Sequence, residues 1–300
     1  MKLSDPQCYA VAEEDQSRYS YDFSDFLNIP TKTDYTLITI GSGTKIYDLY
    51  ENMVMFWTEL PNCLIHAENS DCEYHKTFKV QDKFIKILTD CPFSCEYFNK
   101  KYNYDKFQHV FLPINLKYVP PQTDKFFDVF YTGHNFNSPI RFSFRMLSEK
   151  FKFCSVGRDH APYSGVSYKD KLFLNSKSKI SIVHGLLEWQ NTNVISQFKY
   201  HKAFDLLNEY KMVPQFKTRT LEAAMSRSLI LSFKDPWNMI ESYFEKDEFM
   251  YWTDLKDLEE KVNHIITHYD DYTPMIEKAY NRVVNNYTRE IFFEKFLKNI

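Results

Sequence analysis

A chain of 300 residues, 44% hydrophobic and 26% charged, has enough apolar side chain for one large or two modest domains, which excludes a disordered chain. Its net charge of −3 excludes a broad basic footprint for nucleic acid and a strongly acidic tail alike. No run of about 18 apolar residues suggests a membrane span. Residues 1–15 carry acids in place of a signal-peptide core, so a cytoplasmic protein is expected.

Only 6 residues are glycine, while aromatic residues reach 18%. So many rings must mostly pack a core, and each glycine marks a place where the backbone needs room. Abundant Lys, Asn, Tyr and Phe suit an AT-rich coding genome such as that of a large DNA virus. Cys8, Cys63, Cys72, Cys91, Cys95 and Cys154 lack paired CxxC spacing, so reduced thiols are expected, not a zinc site.

In chain order, a polar, acidic lead-in of some thirty residues precedes a strand at 35–40 that ends at Gly41-Ser42-Gly43. A helix is predicted over 45–59, a strand at 63–66, a helix around Lys79, a strand at 84–89, a helix over 92–101 and a strand at 109–113. Such alternation implies a parallel sheet with crossover helices. Pro120-Pro121-Gln122-Thr123-Asp124 is the linker candidate. A second alternating series follows: strand 127–132 ending at Gly133, helix 140–150, strand 151–156 ending at Gly157, strand 179–183 ending at Gly185, helix 220–226 and strand 229–232. Three glycines thus fall just after strands, where open α/β sheets bind ligands. Leu255, Leu258, Val262, Ile265 and Ile266 share one helical face behind Asp254 and Asp257. Thr273 and Pro274 read as the N-cap and first residue of the next helix, and Phe292, Phe293, Phe296, Leu297 and Ile300 form an apolar stripe on a docked terminal helix.

Gly41-Ser42-Gly43-Thr44-Lys45 follows a strand but has Ile46 where a dinucleotide fingerprint needs its third glycine, and it lacks P-loop spacing. More informative is 217–231, a loop, a short helix and a buried strand. A helix N-terminus offers free N–H groups to a diphosphate. Lys217 and Arg219 would add full charges, and Glu222 sits where a carboxylate can accept from two ribose hydroxyls. Taken alone, the same residues also read as an acid favoured by the helix dipole beside a surface arginine.

The order Asp128-Val129-Phe130-Tyr131-Thr132-Gly133, Arg141, Val156-Gly157, Ser178-Lys179-Ile180, Arg219-Thr220-Leu221-Glu222-Ala223-Ala224 and Leu229-Ile230-Leu231 resembles the GT-B glycosyltransferases. The likeness is to the spore-maturation and family-1-like group, more loosely to exostosin-type enzymes, and runs from about Asp82 to Arg289. It implies two Rossmann-like domains, an acceptor-side domain at 1–122 and a nucleotide-sugar domain at 123–285, with a helix at 286–300 crossing back to the first. It places Gly133, His134 and Arg141 near the diphosphate, Gly157, Arg158, Lys179 and His184 along the donor cleft, and Lys217, Thr218, Arg219, Thr220 and Glu222 on the nucleotide. The expected donor is a UDP- or GDP-sugar and the acceptor a hydroxyl of a glycan or small molecule, with no nucleic-acid partner. One departure stands out, since Arg227-Ser228 occupies the turn where the family usually has glycine.

Enzymes of this fold generally need no metal ion, which agrees with the missing DxD pair; Asp270-Asp271 read as solvated acids. A direct-displacement transferase needs a base on the acceptor side. Glu68 is the first candidate, then His66 and Asp71, with Glu13, Glu14 and Asp15 in reserve, whereas a retaining enzyme requires none. A non-catalytic nucleotide- or sugar-binding module and a nicotinamide-dependent oxidoreductase are the alternatives, the latter disfavoured by Ile46.

Overall fold

A computed structural model of the chain describes residues 9–10, 35–39, 52–57, 81–133, 143–157, 166–188 and 212–300. Two five-stranded sheets, each wholly parallel, organise these residues. The first has the order β1 (Tyr9–Ala10), β2 (Thr36–Thr39), β3 (Met53–Phe56), β4 (Phe84–Thr89) and β5 (Phe107–His109). The second is built from β6 (Phe127–Thr132), β7 (Phe153–Val156), β8 (Ser178–Val183), β11 (Leu229–Phe233) and β12 (Met250–Trp252), in the order β12-β11-β8-β6-β7. Between β8 and β11 in the chain, β9 (Leu186–Glu188) and β10 (Met212–Pro214) pair antiparallel.

Most expected strands are present, with one correction of type. The helix expected over 45–59 gives way at Met53–Phe56 to β3, paired with β2 and β4 and buried throughout. A short all-apolar run suits a strand covered on both faces as well as a helix interior, and periodicity does not separate the two. The strand expected at 109–113 is shifted: the ladder runs over Phe107–His109, and Pro113 has no N–H to offer one. Residues 120–124 are without regular structure, as the paired prolines require. The strand at 63–66 and the glycine turn at 41–43 lie outside the described residues.

The helices form where caps and faces dictate. In α1 (Pro92–Tyr102) the thiol of Cys91 accepts from the Ser94 N–H, proline fills the first turn, and the chain leaves through Asn103 at φ 53°. A short α2 (Phe144–Lys150) follows β6. The unanticipated α3 (Tyr168–Ser176) is capped by Ser167, which accepts from the Asp170 N–H at 3.1 Å. Next, α4 (Thr218–Met225) buries all its residues from Thr220 onward. The Asp254 carboxylate caps α5 (Leu255–Thr267), whose Leu258, Val262 and Ile265 pack against Ile180 and Leu229. In α6 (Thr273–Asn286) the cap is Tyr272, not Thr273. The preceding 3-10 turn already holds Thr273 at helical φ −52°, leaving its hydroxyl no role as a cap.

After Thr288 caps α7 (Arg289–Phe292), a π turn over Phe293–Leu297 completes the chain. This tail lies on the first sheet. Phe292 meets Phe56 at 5.2 Å and Phe111 at 5.5 Å between ring centroids, and Tyr35 donates its hydroxyl to the Leu297 carbonyl at 2.5 Å. Of the expected apolar stripe, Ile300 alone is exposed.

The turn after α4 shows how an arginine replaces the usual glycine. Arg227 adopts φ 50°, the left-handed conformation of a C′ residue. Its N–H donates to Ala224 and that of Ser228 to Ala223, the two bonds of a Schellman motif. Arg227 then pairs with Glu277 at 2.9 Å and lies 3.3 Å over the Tyr280 ring. These contacts anchor α6 and offset a left-handed penalty of roughly 1–2 kcal/mol. Arg227→Gly should therefore leave stability within about 1 kcal/mol of wild type, whereas Arg227→Ala, which keeps the strain and loses both contacts, should cost about 1–2 kcal/mol in urea unfolding. A glycine variant less stable than the alanine one would contradict this account.

Candidate active site

Parallel strands deliver all their carboxyl ends to one edge of a sheet. In the second sheet the chain leaves β6 for β7 on one side and returns to β8 on the other, so a crevice opens between the ends of β6 and β8, at the switch point where open α/β sheets hold ligands. β6 ends at Gly133, and β8 runs into His184 and Gly185.

Arg219, from the first turn of α4, fills this crevice. Gly133 has φ 120°, and a Cβ there would lie 2.3 Å from Arg219 Nη2 and 2.7 Å from Cζ. Only glycine lets the guanidinium lie against the strand end. Arg219 Nη1 donates to Tyr131 Oη at 2.7 Å and lies 3.4 Å from His184 Nε2. His184 stacks along Tyr131, with ring centroids 6.5 Å apart. Burial, followed by the charges of Arg219 and Lys217, holds the His184 imidazolium well below its ordinary range, so the ring is neutral at pH 7. The Leu186 N–H also faces His184, 3.4 Å from Nδ1.

Among the described residues Arg219 has no carboxylate partner; its side chain contacts Tyr131 and His184 and lies against the bare Cα of Gly133. The nearby acid is already engaged. Glu222, one turn further along α4, is 2% exposed and pairs through Oε1 at 2.8 Å with Nζ of Lys171, a residue of α3 that is itself 4% exposed. Burial pulls Lys171 below its ordinary value, opposed by Glu222 and reinforced by Arg219.

The other expected donor residues divide by position. Lys217 is the N-cap residue of α4 and donates to Gln215 Oε1, while Thr218 and Thr220 lie in the first turn. Gly157 ends β7 beside Gly133, whose N–H donates to Val156 at 3.0 Å. Lys179 is not brought to this cluster: it lies at the amino end of β8, 3.8 Å from Asp128, roughly 13 Å along the strand from the switch point. His134, Arg141 and Arg158 lie outside the described residues, as do Glu68, His66, Asp71, Glu13, Glu14 and Asp15.

Three neighbours were not anticipated. Tyr131 reads in sequence as one more core aromatic, and Lys171 lies on the unexpected α3. Asp235 follows β11; it is 1% exposed and accepts from the N–H groups of Trp237 at 2.9 Å and Met239 at 3.2 Å. It also borders Gly185, where a Cβ would meet Met239 Cβ at 2.8 Å.

Across from this cluster stands the carboxyl edge of the first sheet. Cys91 donates its thiol to the Pro214 carbonyl at 3.4 Å, and Tyr243 donates its hydroxyl to the Asp90 carbonyl. His109, lowered in pKa by burial, lies 3.2 Å from the same hydroxyl, whose ring stacks on Phe216. The two carboxyl edges therefore meet around the segment that leads into α4.

Residues 151–298 match the family described as Glycosyl transferase-like. That match spans just under half of the chain, its C-terminal part. The overall fold is similar to that of HepE from Anabaena, solved in complex with UDP-glucose, with a TM-score of 0.57 at 8% identity over 87% of this chain and 77% of that one. It is also similar to S. aureus TarM, solved with fondaparinux, alpha-GlcNAc-glycerol and UDP, with a TM-score of 0.56 at 10% identity over 88% and 55%. Sucrose-phosphate synthase from Thermosynechococcus elongatus gives 0.52 at 9% identity over 88% and 72%. Identities this low establish the fold alone, which is GT-B with two Rossmann-like domains. The chain spans about half the length of TarM. No protein of curated function matches it in sequence.

Among the described residues no group of three or more His, Cys, Asp or Glu side chains is placed to hold a metal ion. No helix among them is long and apolar enough to cross a membrane.

Asp235 gives this edge a pH signature. Burial raises its carboxyl from 3.8 to about 6 in the folded state. Between those pH values the folded chain holds a proton that the unfolded chain has lost, so this group adds stability as pH falls from about 7 to 4 and withdraws it as pH rises. The full difference is on the order of 3 kcal/mol. Asp235→Asn should flatten that part of the stability profile in denaturant titrations at pH 4.5 and 7.5. An unchanged slope would exclude Asp235 as its source.

Proposed function

We propose that the chain transfers a sugar from a nucleoside-diphosphate donor, UDP- or GDP-linked, to a hydroxyl of a glycan or small acceptor. The observation that carries this reading is Arg219, a half-buried guanidinium at the switch point with no carboxylate partner among the described residues. Held there by a tyrosine and a neutral imidazole, this cation has no counter-anion among the described residues, and a diphosphate supplies one bidentately. Gly133 leaves room for the guanidinium to sit at the strand end, the first N–H groups of α4 and Lys217 add to the attraction, and Glu222 accepts from the ribose as the donor displaces what covers it.

In the transfer, the acceptor oxygen bonds to the anomeric carbon as the bond to the diphosphate oxygen breaks. The nucleoside diphosphate leaves with the electron pair. Its charge is offset by Arg219, Lys217 and the helix amides without a metal ion. In a displacement with inversion the acceptor proton passes to Glu68, His66 or Asp71, whereas a retaining transfer needs no such base. We divide the chain into an acceptor-side domain at 1–122, a donor domain at 123–285 and a returning tail at 286–300, a division supported by the packing of Phe292 on Phe56.

A panel of UDP-, GDP-, dTDP- and CMP-sugars, scored by thermal shift and by slow hydrolysis without acceptor, tests the reading. One diphosphate class should raise the melting temperature and its sugar should be hydrolysed. Arg219→Ala should weaken diphosphate binding by roughly tenfold or more. Glu222→Ala should weaken nucleotide binding and abolish turnover. Binding without hydrolysis of any donor would identify a recognition module, and no shift with any nucleotide would defeat the proposal.

A further inference from the structure

Glu222 and Lys171 form a buried ion pair inside a segment that the proposed reading assigns to the donor. Their side chains are 3% and 5% exposed, and Nζ lies 2.8 Å from Oε1. Buried ion pairs of this kind add little stability over apolar residues of similar volume, so packing alone is a weak reason for one here. Its location is informative. Glu222 is one helical turn beyond Arg219, and Lys171 is near enough to Arg219 to feel its charge. The lysine stem and the Tyr168 ring lie together, with Nζ 4.6 Å from the ring centroid, so the ammonium is held from behind by its own helix.

We infer that Lys171 is a positioning residue for the donor ribose, which fixes the Glu222 carboxylate through Oε1 so that Oε2 is presented to the ribose hydroxyls. This rests on the donor-site reading above and adds to it a residue from α3 that never touches the nucleotide. The physical need is specific. An isolated carboxylate in so buried a place is costly and is driven towards its neutral form. A neutral carboxyl offers a pair of vicinal hydroxyls one acceptor oxygen fewer. Lys171 supplies the countercharge and removes the carboxylate's freedom to rotate about its last torsion, so the ribose meets a preset acceptor.

The test compares binding of UDP, or of GDP if the wild type prefers it, with binding of the matching 2′,3′-dideoxynucleotide by calorimetry. The wild type should bind the dideoxy form roughly tenfold or more weakly, because a hydrogen bond to a charged acceptor is lost. Lys171→Met should weaken the ribonucleotide by about the same factor, leave the dideoxynucleotide almost unchanged, and so erase the preference. The double variant Lys171→Met, Glu222→Gln removes both charges, and so leaves no unpaired charge in the core. It should keep a wild-type-like melting temperature yet still show no ribose preference. If either variant folds and retains the full preference, or if Lys171→Met weakens both nucleotides equally, Lys171 is only a packing residue and the inference is overturned. If the wild type binds neither diphosphate, the donor-site reading itself fails and takes this inference with it.

Discussion

The direction of the strands governs where chemistry can occur in this chain. All ten strands of the two main sheets run parallel to their neighbours, so each sheet gathers its loops at one edge. In the second sheet the chain's reversal of direction across β6 makes the ends of β6 and β8 a topological switch point. Gly133, His184 and Gly185 are at those ends, and α4 points its first turn at them. The carboxyl edge of the first sheet meets the same region through Cys91 and Tyr243. Two independent parallel sheets thus converge on one crevice.

Charge is then distributed unequally inside that crevice. Lys171 and Glu222 neutralise each other in the interior, while Arg219 is held by groups without charge, the Tyr131 hydroxyl and the His184 ring. A protein that needed only stability would place a carboxylate opposite a half-buried guanidinium. Without one among the described residues, Arg219 creates local attraction for an anion. His184 contributes by staying neutral, since a protonated ring beside Arg219 would be repelled by it.

The C-terminal third is the framework that holds α4 in place. Its exit is fixed by the Schellman turn at Arg227, whose guanidinium ties it to Glu277 and Tyr280 on α6. From α6 the chain continues through Thr288 into the aromatic tail, which packs Phe292 and Phe296 around Phe111 on the first sheet. An arginine at a turn position that usually takes glycine therefore keeps the turn and adds a tether, at the expense of backbone strain.

By itself the sequence determined what depends on local pattern. Phe127–Thr132 and Leu229–Phe233 are runs of apolar and β-branched residues ended by glycine or a charge, and they are strands as read. The sequence also marked Glu222 on a short helix at 220–226 with Arg219 in the loop just before it; the structure starts that helix at Thr218, so the two lie about one turn apart on it. It could not separate a buried strand from a buried helix at Met53–Phe56, where every residue is apolar and no periodicity survives. Nor could it pair residues far apart in the chain. Lys171 and Glu222 are 51 residues apart, and Tyr131 and Arg219 are 88 apart. Only the packing of α3 on α4 and of α4 on the end of β6 brought them within hydrogen-bond reach. The tertiary structure therefore decided which charge was consumed inside the core and which was left facing the crevice.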